Sequence, residues 1–186
     1  MTSLRKPTDE TLLIINDSKK DSDLFYASHF LVGDPLIYIE HGGRKFLLVS
    51  DLEYGRAAKE ADVDEVVGTA ELEAKLRGQG KAGRLTSIAD LFLQSQGGAQ
   101  KIAVPASMPF GLARQLRELG YELECREDLL PERWFKTPEE IEHIAGSQKA
   151  GEAAMALVIE TLRSSEIRDD LLYHDGEALT SEGLRK

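Results

Sequence analysis

The sequence has 186 residues and a formal net charge of −10, with 33 acidic side chains against 23 Lys and Arg. Apolar residues make up 41% and charged residues 30%, which indicates a soluble globular protein with one core rather than a disordered or membrane-spanning chain. The acidic balance argues against nucleic acid or an anionic membrane surface as a partner, because both require clustered Lys and Arg.

Short apolar runs that alternate with amphipathic segments predict a mixed-sheet α/β domain over residues 1–130. The predicted strands are 11–15, 36–40, 44–49, 65–67, 101–104 and 121–125. The predicted helices are 21–30, 51–61, 69–77, 86–94 and 110–119. The second and third strands form a hairpin around 41–43. Helix-capping side chains are expected from Asp21 or Ser22, from Asp51, and from Thr86 or Ser87.

The sequence also predicts a cytoplasmic location. The longest apolar runs, 12–15 and 46–49, are far below the ~20 residues that cross a bilayer. Residues 1–11 lack an apolar signal core. Cys125 is the only cysteine, so no intrachain disulfide can form, and a reducing compartment is the default. We interpret Cys125 as a small buried residue of a strand rather than as a nucleophile.

A long helix is predicted to begin at Pro138. Thr137 and Glu140 form a capping box around that proline, which occupies the first helical position. Steps of three and four then place one set of residues on a single face: Ile141, Ile144, Gln148, Gly151, Met155, Val158 and Leu162. Unbroken to Arg163, the helix would be ~40 Å long. A small domain cannot cover that length, so the second half requires a second domain, a second copy or solvent.

Catalytic and metal-binding patterns within the chain are weak. The G-x-G-x-x-G of Gly78, Gly80 and Gly83 follows a helical segment rather than a strand, which favours a surface turn over a dinucleotide site. The four histidines lack the spacing of a helical metal pair: His29, His41, His143 and His174. The run from His174 to Glu177 is typical of a solvated turn. No catalytic residue or metal ligand is therefore predicted here.

Two stretches carry a family resemblance. Residues 101–144 run from KIAVP into Arg133 and KTPEEI, which fits the pattern R-x-x-K-T-P-E-E-I. Residues 21–57 begin with DSDLFYASHF and end in a D-x-x-Y-x-x-A pattern. Together they resemble the N-terminal domain of the creatinase, prolidase and aminopeptidase P family and its passage into the catalytic domain. His29 is a departure, since it replaces the usual glycine of the aromatic motif.

The resemblance implies a ribonuclease-H-like mixed sheet flanked by helices and followed by a long C-terminal helix. In the family, a second, pita-bread domain cleaves bonds next to proline with two divalent metal ions, commonly Mn, Co or Zn. Their Asp, His and Glu ligands would lie downstream of Lys186. Residues 131–186 would then be the linker and first helices of a truncated catalytic domain, with a second helix capped by Thr180 or Ser181.

The resemblance also implies contact residues. Family N-terminal domains close over the catalytic cleft, often that of a neighbouring subunit, which makes a homodimer and a proline-containing peptide the expected partners. Asp23, Phe25 and Tyr26 are the substrate-capping candidates. The alternative is that both rings pack in the core and Asp23 caps a helix. Met155, Val158 and Leu162 are the candidates for the interface with the missing catalytic domain.

Two functions remain open from the sequence. The chain is the non-catalytic N-terminal domain of a proline-specific metallopeptidase, or it is a free-standing binding or assembly module with the same fold. The reading frame beyond Lys186 distinguishes them. A further ~200 residues with spaced Asp, His and Glu favour the peptidase, and a stop codon favours the module.

Overall fold

The computed structural model describes residues 10–185, and the chain divides into two compact units, one ending at Arg133 and the other beginning at Trp134. In the described part of the first unit, the strands are β1 (Leu12–Asn16), β2 (Leu36–His41), β3 (Arg44–Val49), β4 (Glu65–Gly68), β5 (Lys101–Pro105) and β6 (Glu122–Arg126). The helices are α1 (Ser22–Ser28), α2 (Asp51–Glu60), α3 (Ala70–Gly78), α4 (Leu85–Ser95) and α5 (Phe110–Glu118). A short 3₁₀ helix, Pro131–Trp134, follows them.

The strands of the first unit form one mixed sheet in the order β4-β3-β2-β1-β5-β6. Strand β2 is antiparallel to both neighbours, and the other pairs are parallel. Gly42 and Gly43 join β2 to β3 with φ of 58° and 75°. Positive φ at both central residues is the geometry of the tight turns that match strand twist, and glycine adopts it without strain. The predicted mixed α/β fold and its hairpin are confirmed.

The core lies on both faces of this sheet. Successive strand residues point to opposite faces, so the continuous apolar runs of β1, β2 and β3 supply side chains to both. On one face, α3, α4 and α5 cover Leu13, Ile39 and their neighbours. On the other, α1 and α2 cover Leu12, Ile14 and Leu47. Leu129 and Leu130 join that second cluster, so the segment that leaves β6 packs on the same face as α1.

Three local predictions are wrong. Asp51 is the first helical residue of α2, and Ser50 holds the capping position. Helix α4 begins at Leu85, before Thr86, because the Thr86 hydroxyl donates to the Gln115 side chain at 2.8 Å instead of capping the helix. Cys125 is exposed because it lies on the edge strand β6, which has a neighbouring strand on one side alone.

The second unit is built on α6 (Pro138–Ser164), a single helix of 27 residues. Its predicted capping box is confirmed: the Thr137 hydroxyl accepts from the Glu140 amide at 3.2 Å, and the Glu140 carboxylate accepts from the Thr137 amide at 2.8 Å. None of the residues of α6 is buried. Between residues 10 and 185, no helix is both long and apolar enough to cross a membrane.

After α6 the structure departs from the prediction of further helix. Strands β7 (Glu166–Arg168), β8 (Leu171–His174) and β9 (Glu177–Ala178) form an antiparallel sheet. Asp169 and Asp170 turn the chain with φ of 47° and 63°, and 175–176 form the next turn with φ of 50° and 84°. Asp and Gly tolerate these angles, which makes both pairs hairpin turns. Thr180 caps only a short 3₁₀ helix, Gly183–Arg185. The assignment of 131–186 to a linker and helices is therefore wrong over 166–178, and its assignment to a catalytic domain stays a prediction.

Candidate functional site

The first turn of α1 is fixed by Asp21. Its Oδ1 accepts from the amides of Asp23 and Leu24 at 3.1 and 3.0 Å. Its Oδ2 accepts from Asn16 Nδ2 at 2.9 Å, which ties the start of the helix to the end of β1. Asp21 is thus one of the two predicted caps, and the alternative that Asp23 caps the helix is wrong. The Asp23 side chain is left available for another contact.

Asp23 makes that contact with Arg133. The Arg133 Nη1 donates to Asp23 Oδ1 in an ion pair that joins residues 110 positions apart. The Asp23 side chain is 19% exposed and the Arg133 side chain 39%, so the pair lies at the surface but is partly shielded from solvent. The second carboxylate oxygen of Asp23 has no hydrogen-bond partner among residues 10–185.

Phe25 and Tyr26 meet at His29 rather than at Asp23. The ring centroids of Phe25 and Tyr26 lie 6.3 and 6.2 Å from that of His29, both in edge-on geometry. Residues two apart on a helix point in different directions, which separates Phe25 from Asp23. Phe25 is 41% exposed, so the alternative that it packs in the core is wrong. Tyr26 is half-buried and does pack against the core cluster beneath α1.

His29 ends α1 in a conformation that favours glycine. Its φ is 51° and ψ 18°, and its amide donates to the Phe25 carbonyl at 2.7 Å. Helices commonly end with glycine in this left-handed conformation. This accounts for the glycine that the resembling motif carries at this position. The histidine ring lies 3.6 Å from the Asp62 carboxylate and beside both aromatic rings, contacts that no periodicity in the sequence indicates.

Because His29 has a left-handed backbone, glycine should be more stable than alanine at this position, the reverse of their order within a regular helix. We expect His29→Gly to be more stable than His29→Ala by ~1 kcal/mol, because alanine keeps the left-handed strain and glycine removes it. Both variants lose the imidazole ring, so the comparison isolates the backbone. Urea unfolding measures the difference. At Arg114, an exposed position within α5, alanine should instead be the more stable by a similar amount. The same order at both positions would contradict the left-handed assignment.

Arg56 holds the backbone just beyond the end of α1. Its guanidinium stacks 4.3 Å from the Phe30 ring centroid, and two of its N–H groups donate to the Leu31 carbonyl at 3.1 Å. It also pairs with Glu53 at 2.8 Å and Glu60 at 3.0 Å. The hydrogen bond to the Glu53 carboxylate holds the pKa of Arg56 above its usual value. Sequence analysis missed Arg56, whose i−3 and i+4 acidic neighbours were the available signal.

The interface candidates lie on α6 in the second unit. Met155 and Leu162 are 61% and 43% exposed. Val158 is half-buried and lines a cavity of about 450 Å³ between α6 and the β8–β9 hairpin. His174 borders the same cavity, with its Nε2 3.6 Å from the Asp175 carboxylate.

The described residues do not fit a metal centre. Within 10–185, no three His, Cys, Asp or Glu side chains are grouped closely enough to hold a metal ion. The run from His174 to Glu177 forms the β8–β9 turn, and the Asp175 side chain is 92% exposed. The two-metal centre that the resemblance implies stays a prediction.

Comparison with known proteins agrees with this fold. The sequence pattern of the creatinase/prolidase N-terminal domain family matches residues 8–127. No curated protein matches the sequence. The X-Pro aminopeptidase from Thermotoga maritima has a similar structure with a TM-score of 0.67 and 18% identity, covering 84% of this chain and 42% of that one. The prolidase from Pyrococcus furiosus is also similar, with a TM-score of 0.61 and 18% identity. The match covers 86% of this chain and 41% of that one.

A third similar structure extends the comparison. The Xaa-Pro dipeptidase from Bacillus anthracis has a TM-score of 0.60 and 16% identity, covering 84% of this chain and 40% of that one. At these identities the likeness shows the fold alone. The chain spans about two-fifths of the length of the three structures, with shares of 42%, 41% and 40%.

Proposed function

The chain belongs to the creatinase/prolidase N-terminal domain family, and on that premise we propose that it is the non-catalytic N-terminal domain of a metal-dependent Xaa-Pro aminopeptidase or dipeptidase. In this role it covers the catalytic cleft, binds proline-containing peptides at the edge of that cleft and supports a homodimer. The Mn, Co or Zn ions of such an enzyme would be held by residues outside the described part of the chain. The proposed location is the cytoplasm.

The observation that carries this proposal is that, in a domain of this family, α1 presents an exposed aromatic ring and a carboxylate that does not cap the helix. Phe25 is 41% exposed, so much of its aromatic ring is accessible at the surface of the domain. The cap of the same helix is supplied by Asp21, which leaves Asp23 for another role. An exposed ring and a carboxylate on the same short helix suit a short peptide, whose apolar side chains and N–H groups need both kinds of partner.

The proposal is tested by a peptidase assay on two proteins. The first is the chain of residues 1–186, which we expect not to cleave Xaa-Pro peptides in the presence of Mn²⁺. The second is the complete product of the reading frame that contains these residues, which we expect to cleave them. Cleavage by the shorter chain would contradict a non-catalytic role. A frame that stops at Lys186, or a complete product without peptidase activity, would favour the free-standing binding module.

Truncation of Phe25 tests the cleft-covering role. In the complete product, we expect Phe25→Ala to raise KM for an Xaa-Pro peptide about tenfold, equivalent to ~1.4 kcal/mol, with little change in kcat. The loss would come from binding rather than from the chemical step, because the ring covers the substrate without touching the reacting atoms. The matched control is Phe110→Ala, since Phe110 is 78% exposed at the start of α5. Equal KM values for both variants and the unaltered protein would contradict the role.

A further inference from the structure

The ion pair between Asp23 and Arg133 joins the two stretches that carry the family resemblance. Asp23 lies in the aromatic stretch on α1, and Arg133 is the arginine of the R-x-x-K-T-P-E-E-I stretch. The sequence presents them as independent features separated by 110 positions. In the structure, one side chain of each contacts the other, so a substitution in either stretch changes the surroundings of the other.

Both ends of this ion pair are anchored to the core. Leu24, next to Asp23, is fully buried in the same cluster as Leu129 and Leu130. The Arg133 amide donates to the Leu130 carbonyl at 3.1 Å, which fixes Arg133 to that buried pair through the 3₁₀ helix. Neither charged residue depends on a flexible loop for its position. The carboxylate therefore meets a partner that is already in place.

The ion pair affects the direction of the carboxylate more than the stability of the fold. Surface ion pairs contribute little net stability, and these two side chains are 19% and 39% exposed. Without Arg133, the Asp23 carboxylate would lose the hydrogen bond to its Oδ1 and could rotate toward solvent. With Arg133, Oδ1 is held in the pair, and Oδ2 accepts no hydrogen bond from the described residues. That oxygen keeps the capacity to accept a hydrogen bond from a ligand.

We propose that Arg133 is a positioning residue that aims the Asp23 carboxylate at a hydrogen-bond donor of the peptide substrate, either a backbone N–H or the N-terminal ammonium. This inference rests on the proposed function, because it takes Asp23 to meet the substrate at the edge of the cleft. It adds that the segment leading into α6 sets the geometry of that contact. Arg133 acts through Asp23 and does not itself touch the reacting atoms.

The test is a double-mutant cycle in the complete product, read as separate KM and kcat values for an Xaa-Pro peptide. We expect Asp23→Asn and Arg133→Gln each to raise KM about tenfold, which corresponds to ~1.4 kcal/mol. The double variant should be no worse than the poorer single variant, because one interaction is lost in all three. Arg133→Lys should retain most of the affinity. Arg114→Gln, which breaks the pair with Glu118 on α5, is the matched control and should leave KM unchanged.

Each other outcome is decisive. If Asp23→Asn raises KM and Arg133→Gln does not, the positioning role is wrong and the proposed function stands. If the two effects multiply in the double variant, the residues act independently and the inference is again wrong. If neither variant changes KM while Phe25→Ala does, Asp23 does not meet the substrate. A complete product that never cleaves Xaa-Pro peptides overturns the proposed function itself.

A second measurement on residues 1–186 needs no activity. Asp23→Asn should increase amide hydrogen exchange at 132–134, because the ion pair between Asp23 and Arg133 is lost, and Glu118→Gln should not. Unchanged exchange at 132–134 would show that Asp23 does not hold this segment and would overturn the inference. This result is separate from the failure of the proposed function, because it does not depend on any peptide substrate.

Discussion

The double substitution of Met155 and Leu162 with glutamate should convert the 186-residue chain from a self-associating species into a monomer. Both side chains are exposed on α6, at 61% and 43%, and lie on the same helix face. Covering a large apolar side chain is worth ~1.5 to 3 kcal/mol, so losing two should weaken association by about 10² to 10⁴-fold. Sedimentation velocity over a concentration series measures the change.

The control for this prediction is a glutamate placed on an exposed leucine elsewhere. Leu52 on α2 is 95% exposed, and Leu52→Glu should leave self-association unchanged. A chain that is strictly monomeric before substitution, with the amides of α6 fully protected from exchange, would contradict the prediction. It would mean that the apolar face of the helix is stable in water without a partner.

The strands and the long helix could be predicted because their signals are local. Each of β1, β2 and β3 contains a run of four buried residues without a charge, since both faces of the sheet are covered. Two glycines between β2 and β3 can occupy a tight turn. The Thr137 to Glu140 capping box depends on four consecutive residues and on nothing distant. In each case the neighbours in sequence are also the neighbours in space.

Predictions failed where a distant contact or a competing local pattern decided the structure. Thr86 resembles a helix cap, but its hydroxyl bonds to Gln115, 29 positions away. Cys125 alternates with charged residues in β6, which favoured a buried position for it, yet β6 lies at the end of the described sheet, and the order of strands cannot be read from composition. The turn at 169–170 carried a local signal in its Asp-Asp pair, but a helix was expected there, whereas the turn at 175–176 was predicted from its sequence.

In the candidate site, too, the features set by neighbouring residues were predictable and those set by distant contacts were not. The start of α1 was predictable, because Asp21 or Ser22 precedes an amphipathic segment. The surroundings of its side chains were not. Asp23 reaches Arg133 across the fold, and helical periodicity carries no information about such a partner. The left-handed backbone of His29 could be foreseen only from the glycine that it replaces, and its contact with both rings follows from that geometry.

Leu24→Ala should strongly destabilise the fold. Leu24 is a fully buried residue of α1, in the cluster that also holds Phe30, Leu129 and Leu130. Removing a buried leucine side chain costs about 3 to 5 kcal/mol, because the apolar contact is lost and a cavity remains. That is a large share of the ~5 to 15 kcal/mol that stabilises a typical domain. Urea unfolding should show a lower midpoint with an unchanged slope.

Two controls separate this cluster from the rest of the core. Leu52→Ala should cost almost nothing, because Leu52 is 95% exposed. Leu116→Ala, on the opposite face of the sheet, should lower global stability by a similar amount to Leu24→Ala. Only the Leu24 variant should also increase amide exchange at 132–134 under native conditions, since Leu24 packs in one cluster with the leucines that anchor Arg133. A loss below ~1 kcal/mol for Leu24→Ala would mean that α1 is not held to this face, because full burial of a leucine cannot cost so little to remove.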